Sequence, residues 1–81
     1  MWREGTIRIS KGEKYTVAQY WVKAFDESSE EYGINGGKIS KLSIKIDGEY
    51  TANYDRGWDI GPAEDDEATQ IAYCILLTEY N

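Results

Sequence analysis

Asp55 and Asp59 flank Arg56 and Trp58 in the segment Asn53-Tyr54-Asp55-Arg56-Gly57-Trp58-Asp59. Either carboxylate beside Arg56 could form an acid held by a guanidinium, which is the chemistry of a carboxylate-based enzyme. The competing reading is a turn: Asn53 and Asp55 cap local backbone, Gly57 takes positive φ, and Trp58 packs under a helix. Asn, Asp and Gly cluster in turns for backbone reasons alone, so the turn reading is preferred. Calcium held by Asn53, Asp55 and Asp59 would lack both the EF-hand pattern and a bidentate Glu at the right distance. The chain has no histidine, the commonest general base and metal ligand. Every Ser or Cys nucleophile that depends on a His partner is thereby excluded. Cys74, the one cysteine, lies near the apolar stripe of a predicted helix and is expected to be a buried, inert thiol. Gly33-Ile34-Asn35-Gly36-Gly37 superficially resembles a phosphate loop, but it lacks the Gly-Lys-Ser/Thr ending and no helix follows it. No cofactor, metal or catalytic residue is expected.

The carboxylates instead suggest recognition. Asp26-Glu27 with Glu30-Glu31 forms one acidic run, and Glu64 to Glu67 forms another. One reading is a solvated loop and a well-charged helix start. The sharper reading is a negative surface that meets a basic partner. Glu30, Glu31, Tyr32, Asp55, Arg56, Trp58 and Asp59 are the expected contact residues.

The elements that must position these residues follow from periodicity. Ile7 and Ile9 alternate in a first strand, Trp2 to Ile9, and Ser10 to Glu13 forms a turn with Gly12 able to take positive φ. Tyr15 to Phe25 is rich in aromatic and β-branched residues and reads as a long strand. Tyr15, Val17, Trp21 and Phe25 share one face of it, and Ala18, Tyr20, Val22 and Ala24 the other. Asp26 to Gly37 is a surface loop, with Tyr32 and Ile34 expected to pin it. Lys38 to Ile46 alternates, with Leu42, Ile44 and Ile46 on one face. Asp47-Gly48 signals a hairpin. A two-residue loop would put Tyr50, Ala52 and Tyr54 on the polar face of the preceding strand. A three-residue loop with Gly48 left-handed at a bulge pairs Ile44 with Tyr50 and Leu42 with Ala52, and is preferred because it keeps one face apolar. Pro62 suits a first helical turn. The helix is expected from Pro62–Asp65 to Glu79, burying Ala68, Ile71, Ala72, Ile75 and Leu76.

The order strand, strand, loop, strand, strand, helix predicts an α+β fold: a four-stranded antiparallel sheet with one C-terminal helix packed on one face. Length suits a single domain over residues 1–81. The net charge of −6 disfavours direct nucleic-acid binding and anionic membranes. Without a second cysteine no internal disulfide can form, and the segment MWREGTIRIS has no apolar core of a signal peptide. A cytoplasmic location is expected.

Two segments resemble a family. Tyr32-Gly33-Ile34-Asn35-Gly36-Gly37-Lys38-Ile39-Ser40-Lys41-Leu42 and Tyr54-Asp55-Arg56-Gly57-Trp58-Asp59 are similar to the G-I-x-G-G-[KR]-[IV]-S-K-L and Y-D-R-G-W-D segments of small uncharacterised proteins of Gram-positive bacteria and their phages and mobile elements. The resemblance covers most of the chain beyond about residue 20 and brings no activity with it. It implies a context in which small acidic proteins are often inhibitors of host defence, anti-CRISPR proteins among them. The leading expectation is therefore a non-enzymatic protein whose acidic surface meets a protein partner with a basic, nucleic-acid-binding site. A small homo-oligomer, such as a homodimer, or an accessory subunit that buries the open sheet face or an edge strand is the alternative.

Overall fold

A computed structural model describes all 81 residues. Five strands form one antiparallel sheet: β1 (Trp2–Lys11), β2 (Lys14–Ala24), β3 (Ile39–Ile46), β4 (Glu49–Asp55) and β5 (Trp58–Ile60). Their spatial order is their sequence order, a simple meander. A short 3₁₀ turn, Ile34–Gly36, lies in the β2–β3 connection, and one helix, α1 (Glu67–Tyr80), ends the chain. The expected α+β class, antiparallel sheet and packed C-terminal helix are all present, but the sheet has five strands rather than four. The fifth is three residues long. Alternation cannot be recognised over so short a run, and Trp58-Asp59-Ile60 reads in sequence as a lead into the helix.

The core lies between the sheet and α1. Ala18 and Val22 on β2, Leu42 and Ile44 on β3, Ala52 on β4 and Ala72 and Leu76 on α1 are fully or almost fully buried. The two faces of β2 divide as alternation requires, with Ala18, Val22 and Ala24 inward and Tyr15 and Val17 outward.

The β3–β4 hairpin corrects the expected register. Asp47 and Gly48 both have positive φ, 51° and 81°, the signature of a two-residue type I′ turn. Ile46 therefore pairs with Glu49 and Lys45 with Tyr50, yet Ile44 pairs with Ala52 and Leu42 with Tyr54. Thr51 is the extra residue of a bulge in β4. The parity conflict that argued for a three-residue loop is real. It is relieved one turn later, inside the strand, because a bulge there restores Ala52 and Tyr54 to the apolar face and leaves the favoured turn intact.

The helix begins later than expected. Asp66 is its N-cap, with Oδ1 accepting from the Thr69 amide at 3.1 Å, and Pro62 lies outside the helix. The buried face is also rotated. Thr69, Ala72 and Leu76 are buried, with Ala68, Tyr73, Leu77 and Tyr80 packed beside them, whereas Ile71 and Ile75 are exposed. Cys74 is exposed, not buried. Both readings follow the i, i+3, i+4 spacing. The sheet selects the face that carries Tyr73, Leu77 and Tyr80, which pack on the core with Tyr73 edge-on to Trp58, while Ile71 lies on the other flank of the helix, beside the β1–β2 hairpin. The helix is too short to cross a membrane.

Candidate functional site

The residues expected to act lie at one end of the sheet, where the β2–β3 connection meets the β4–β5 turn. The connection is held by its own backbone. Phe25 N donates to the Lys38 carbonyl at 2.8 Å, Ser29 N to the Gly37 carbonyl at 2.9 Å, and Gly33 N to the Ser29 carbonyl at 2.9 Å. Ile34, 1% exposed, plugs the segment into the core as expected. Asn81 clamps it from the end of α1: Oδ1 accepts from Ile39 N at 2.9 Å, and Nδ2 donates to the Ile34 carbonyl at 3.1 Å. A Cβ at Gly37 would collide with the Asn81 side chain, so the clamp requires glycine there.

The β4–β5 turn is tied to the same region. The Tyr54 hydroxyl donates to the Tyr32 carbonyl at 2.9 Å, and Arg56 N donates to the Ser40 carbonyl at 3.0 Å. The left-handed residue of this turn is Arg56, φ 58°, and not Gly57. The Arg56 guanidinium lies 5.8 Å from the centre of the Tyr32 ring, and its Nε is 3.7 Å from Asp55 Oδ1. Tyr32, Asp55 and Arg56 thus converge, and Glu30 and Glu31 precede Tyr32 in the same connection; all five are exposed. Tyr32 does not pin the loop with its ring, which is 44% exposed; its carbonyl does that work.

Trp58 and Asp59 diverge from this group. Trp58 turns toward the helix and stands edge-on to Tyr54 at 5.0 Å and to Tyr73 at 5.5 Å, clasping β5 to α1. Asp59 points to the opposite face, where its Oδ2 accepts from Asn53 Nδ2 at 3.4 Å. Asp55 and Asp59 therefore serve different partners, and the two carboxylates do not share Arg56. No three acidic or cysteine side chains come together in a metal-holding arrangement.

The two acidic runs lie far apart. The run at 26–31 is beside the C-terminal end of α1, whereas Glu67 at its start bonds Lys11 at 3.2 Å, at the β1–β2 hairpin. The molecule is 40 Å long, so they form two patches rather than one. Sequence reasoning missed a third feature at the loop end. Lys23, Phe25, Ser40, Lys41 and Arg56 line a small cleft on the open side of the sheet. The alternation of β2 and β3 puts Lys23 and Lys41 on that side, but their opposition needed the strand register.

A five-stranded antiparallel meander capped by one helix defines a small α+β domain. The chain belongs to a family: all of it, residues 1–81, matches the model described as Domain of unknown function (DUF7678). No curated protein and no solved structure matches the chain.

Proposed function

We propose that the protein is a non-enzymatic binding protein whose loop end, built from Glu30, Glu31, Tyr32, Asp55 and Arg56, meets a protein partner with a basic surface. One observation carries the reading. Two segments remote in sequence are tied together by the Tyr54–Tyr32 hydrogen bond, and between them they carry three exposed carboxylates, Glu30, Glu31 and Asp55, and the half-exposed Tyr32 ring. A loop held in place loses little conformational freedom on binding, and a ring within a charged rim is the pattern of an interface anchor. The finer form of the proposal is an inhibitor, of phage or mobile-element origin, that occupies the nucleic-acid channel of a host defence nuclease. That form rests on the family resemblance and on charge complementarity.

Affinity capture from the native host, with the wild type and with Glu30→Gln/Glu31→Gln as paired baits, tests the reading. A basic protein should be retained by the wild type, released by salt, and lost from the variant. Retention that is indifferent to salt and to both substitutions would contradict it. The second reading, a homodimer through the open sheet face, draws on Tyr15 and Tyr50, 56% and 51% exposed on that face. A single monomeric species in sedimentation at high concentration would dismiss it.

A further inference from the structure

At one end of the sheet face turned away from α1, three cations gather against the net sign of the molecule. Strand alternation puts Arg8, Lys23, Lys41 and Lys45 on this face, together with Trp21 and Tyr50. Three carboxylates share the face, Glu4 opposite Trp21, Asp55 opposite Lys41 and Asp59 beside Asn53, while the acidic runs at 26–31 and 64–67 lie elsewhere. Lys23 and Lys41 are direct cross-strand partners. Like charges placed opposite one another repel, so this pair is a local cost in the free protein. The β4–β5 turn adds a third cation at the same place. Arg56 adopts a left-handed backbone, uncommon for a residue with a side chain, although Gly57 is the next residue. Lys23, Lys41 and Arg56, with Ser40 and Phe25, enclose a cleft of about 170 Å³. The one carboxylate in range is Asp55, 3.9 Å from Lys41 Nζ and 3.7 Å from Arg56 Nε. Both contacts are long and solvated, and an incoming anion can displace them.

We infer that this cleft is a phosphate-ester site, and that the phosphate belongs to a nucleotide whose base lies against Trp21 and Tyr50. Two ammonium groups and a guanidinium fork suit a phosphoryl group. Trp21 stands two residues from Lys23 on the same face of β2, and its ring centre is 6.3 Å from that of Tyr50. Lys45 Nζ lies 5.2 Å from the Tyr50 ring centre, which continues the line of cations beside the rings. Cations alternating with rings on an open sheet are how single strands are held without sequence preference. The net charge of −6 speaks against a long duplex, not against a single phosphate contact framed by local cations. The site shares Arg56 with the proposed protein interface but does not use Glu30 or Glu31, so each can fail without the other.

The test is an amide-resolved NMR titration of the wild type with inorganic phosphate, adenosine monophosphate, a short single-stranded oligodeoxynucleotide and poly-glutamate. Phosphate should shift Lys23, Ser40, Lys41 and Arg56, and the nucleotide should extend the shifts to Trp21 and Tyr50. Lys23→Gln and Lys41→Gln should each weaken nucleotide binding about tenfold, and binding should fall linearly in log–log form with salt. An oligonucleotide that binds more tightly than the mononucleotide assigns the phosphate to a strand; equal affinity assigns it to a free nucleotide. Saturable shifts that map elsewhere, or none at all, overturn the site. So does poly-glutamate binding as tightly as the oligonucleotide, which would indicate an acidic protein ligand. Phosphate binding that gains nothing from the base overturns the nucleotide assignment. The wild-type map decides these points even if a variant does not fold.

Discussion

Thr69 is fully buried and polar, and its hydroxyl explains why the helix starts where it does. That oxygen lies 2.6 Å from Asp66 Oδ2 and 2.7 Å from Thr51 Oγ1. A hydroxyl has one proton, so it donates to the carboxylate and accepts from Thr51. The cap, the first helical turn and the bulged strand are thus joined at one atom. Thr69→Val keeps the volume but strands the Thr51 hydroxyl, and should cost about 1–3 kcal/mol in denaturant unfolding. Asp66→Ala removes the same bond and the cap together, and should cost at least as much, about 2 kcal/mol. A loss below a few tenths for both would contradict this account. Tyr73 and Tyr80 give stability a pH dependence at the alkaline end. Burial pushes the Tyr73 hydroxyl above its ordinary value, helped by Cys74 and Tyr54 and opposed by a hydrogen bond to Asn35. A hydrogen bond to Tyr20 raises Tyr80, followed by burial. The folded state therefore holds both phenols neutral when the unfolded chain would ionise them. Their contribution is complete below about pH 10 and is lost as pH rises through the folded values. The melting temperature should fall in that alkaline window, and less steeply in a Tyr73→Phe/Tyr80→Phe variant.

At the scale of elements, β4 is the informative strand. Its first two residues pair in the register set by the I′ turn, and its last four in the opposite parity, with Thr51 absorbing the difference. Deleting Thr51 therefore leaves Ala52 opposite Ile44 and Tyr54 opposite Leu42. Deleting Asn53 moves Tyr54, with its bonds to Tyr32 and Trp58, to the wrong face. The first deletion should fold, weakened by about 1 kcal/mol for the lost Thr51–Thr69 hydrogen bond, and keep the Ile44–Ala52 cross-strand NOEs. The second should fail to give a cooperative transition. Equal outcomes for the two would mean the bulge is not what sets the register. Gly48→Ala makes the complementary test at the turn. With φ at 81°, an added Cβ is strained even in open space, and a loss of about 1 kcal/mol or more is expected.

For the molecule as a whole, charge is arranged rather than merely abundant. The loop end carries Glu30, Glu31 and Asp55, the start of α1 carries the second acidic run, and the open sheet face between them carries lysines and rings, with Glu4 and Asp59 among them. Distances across the long axis exceed the screening length of about 8 Å at physiological salt, so each patch meets its surroundings nearly independently. Substituting Glu64 and Asp65 by Gln and Asn should therefore leave any interaction of the loop end unchanged within about twofold, whereas Glu30→Gln/Glu31→Gln should weaken it severalfold. A binding isotherm for the captured partner distinguishes the two. Equal losses from both pairs would indicate a long-range effect of net charge.

What residue order determined by itself was whatever depends on near neighbours. Alternation in Tyr15 to Phe25 and Lys38 to Ile46 defined two strands and their inward residues, Asp47-Gly48 defined a tight turn, and the 3.6-residue period near the C-terminus defined one helix to cover one sheet. The convergence of Tyr32 with Asp55 and Arg56 was anticipated only as a set of separate candidates. Tertiary structure decided the rest, because each remaining question was a choice among locally equivalent answers. Two helix faces satisfied the same spacing, and packing on the sheet, with Tyr73 edge-on to Trp58, selected the one that exposes Ile71, Cys74 and Ile75. Two ways of adding a residue repaired the same hairpin parity, and a bond between Thr51 and Thr69, 18 positions apart, favoured the bulge. The opposition of Lys23 to Lys41 and the separation of the acidic runs have no local signature, since a chain's charges are ordered along it but are summed in space only after it folds.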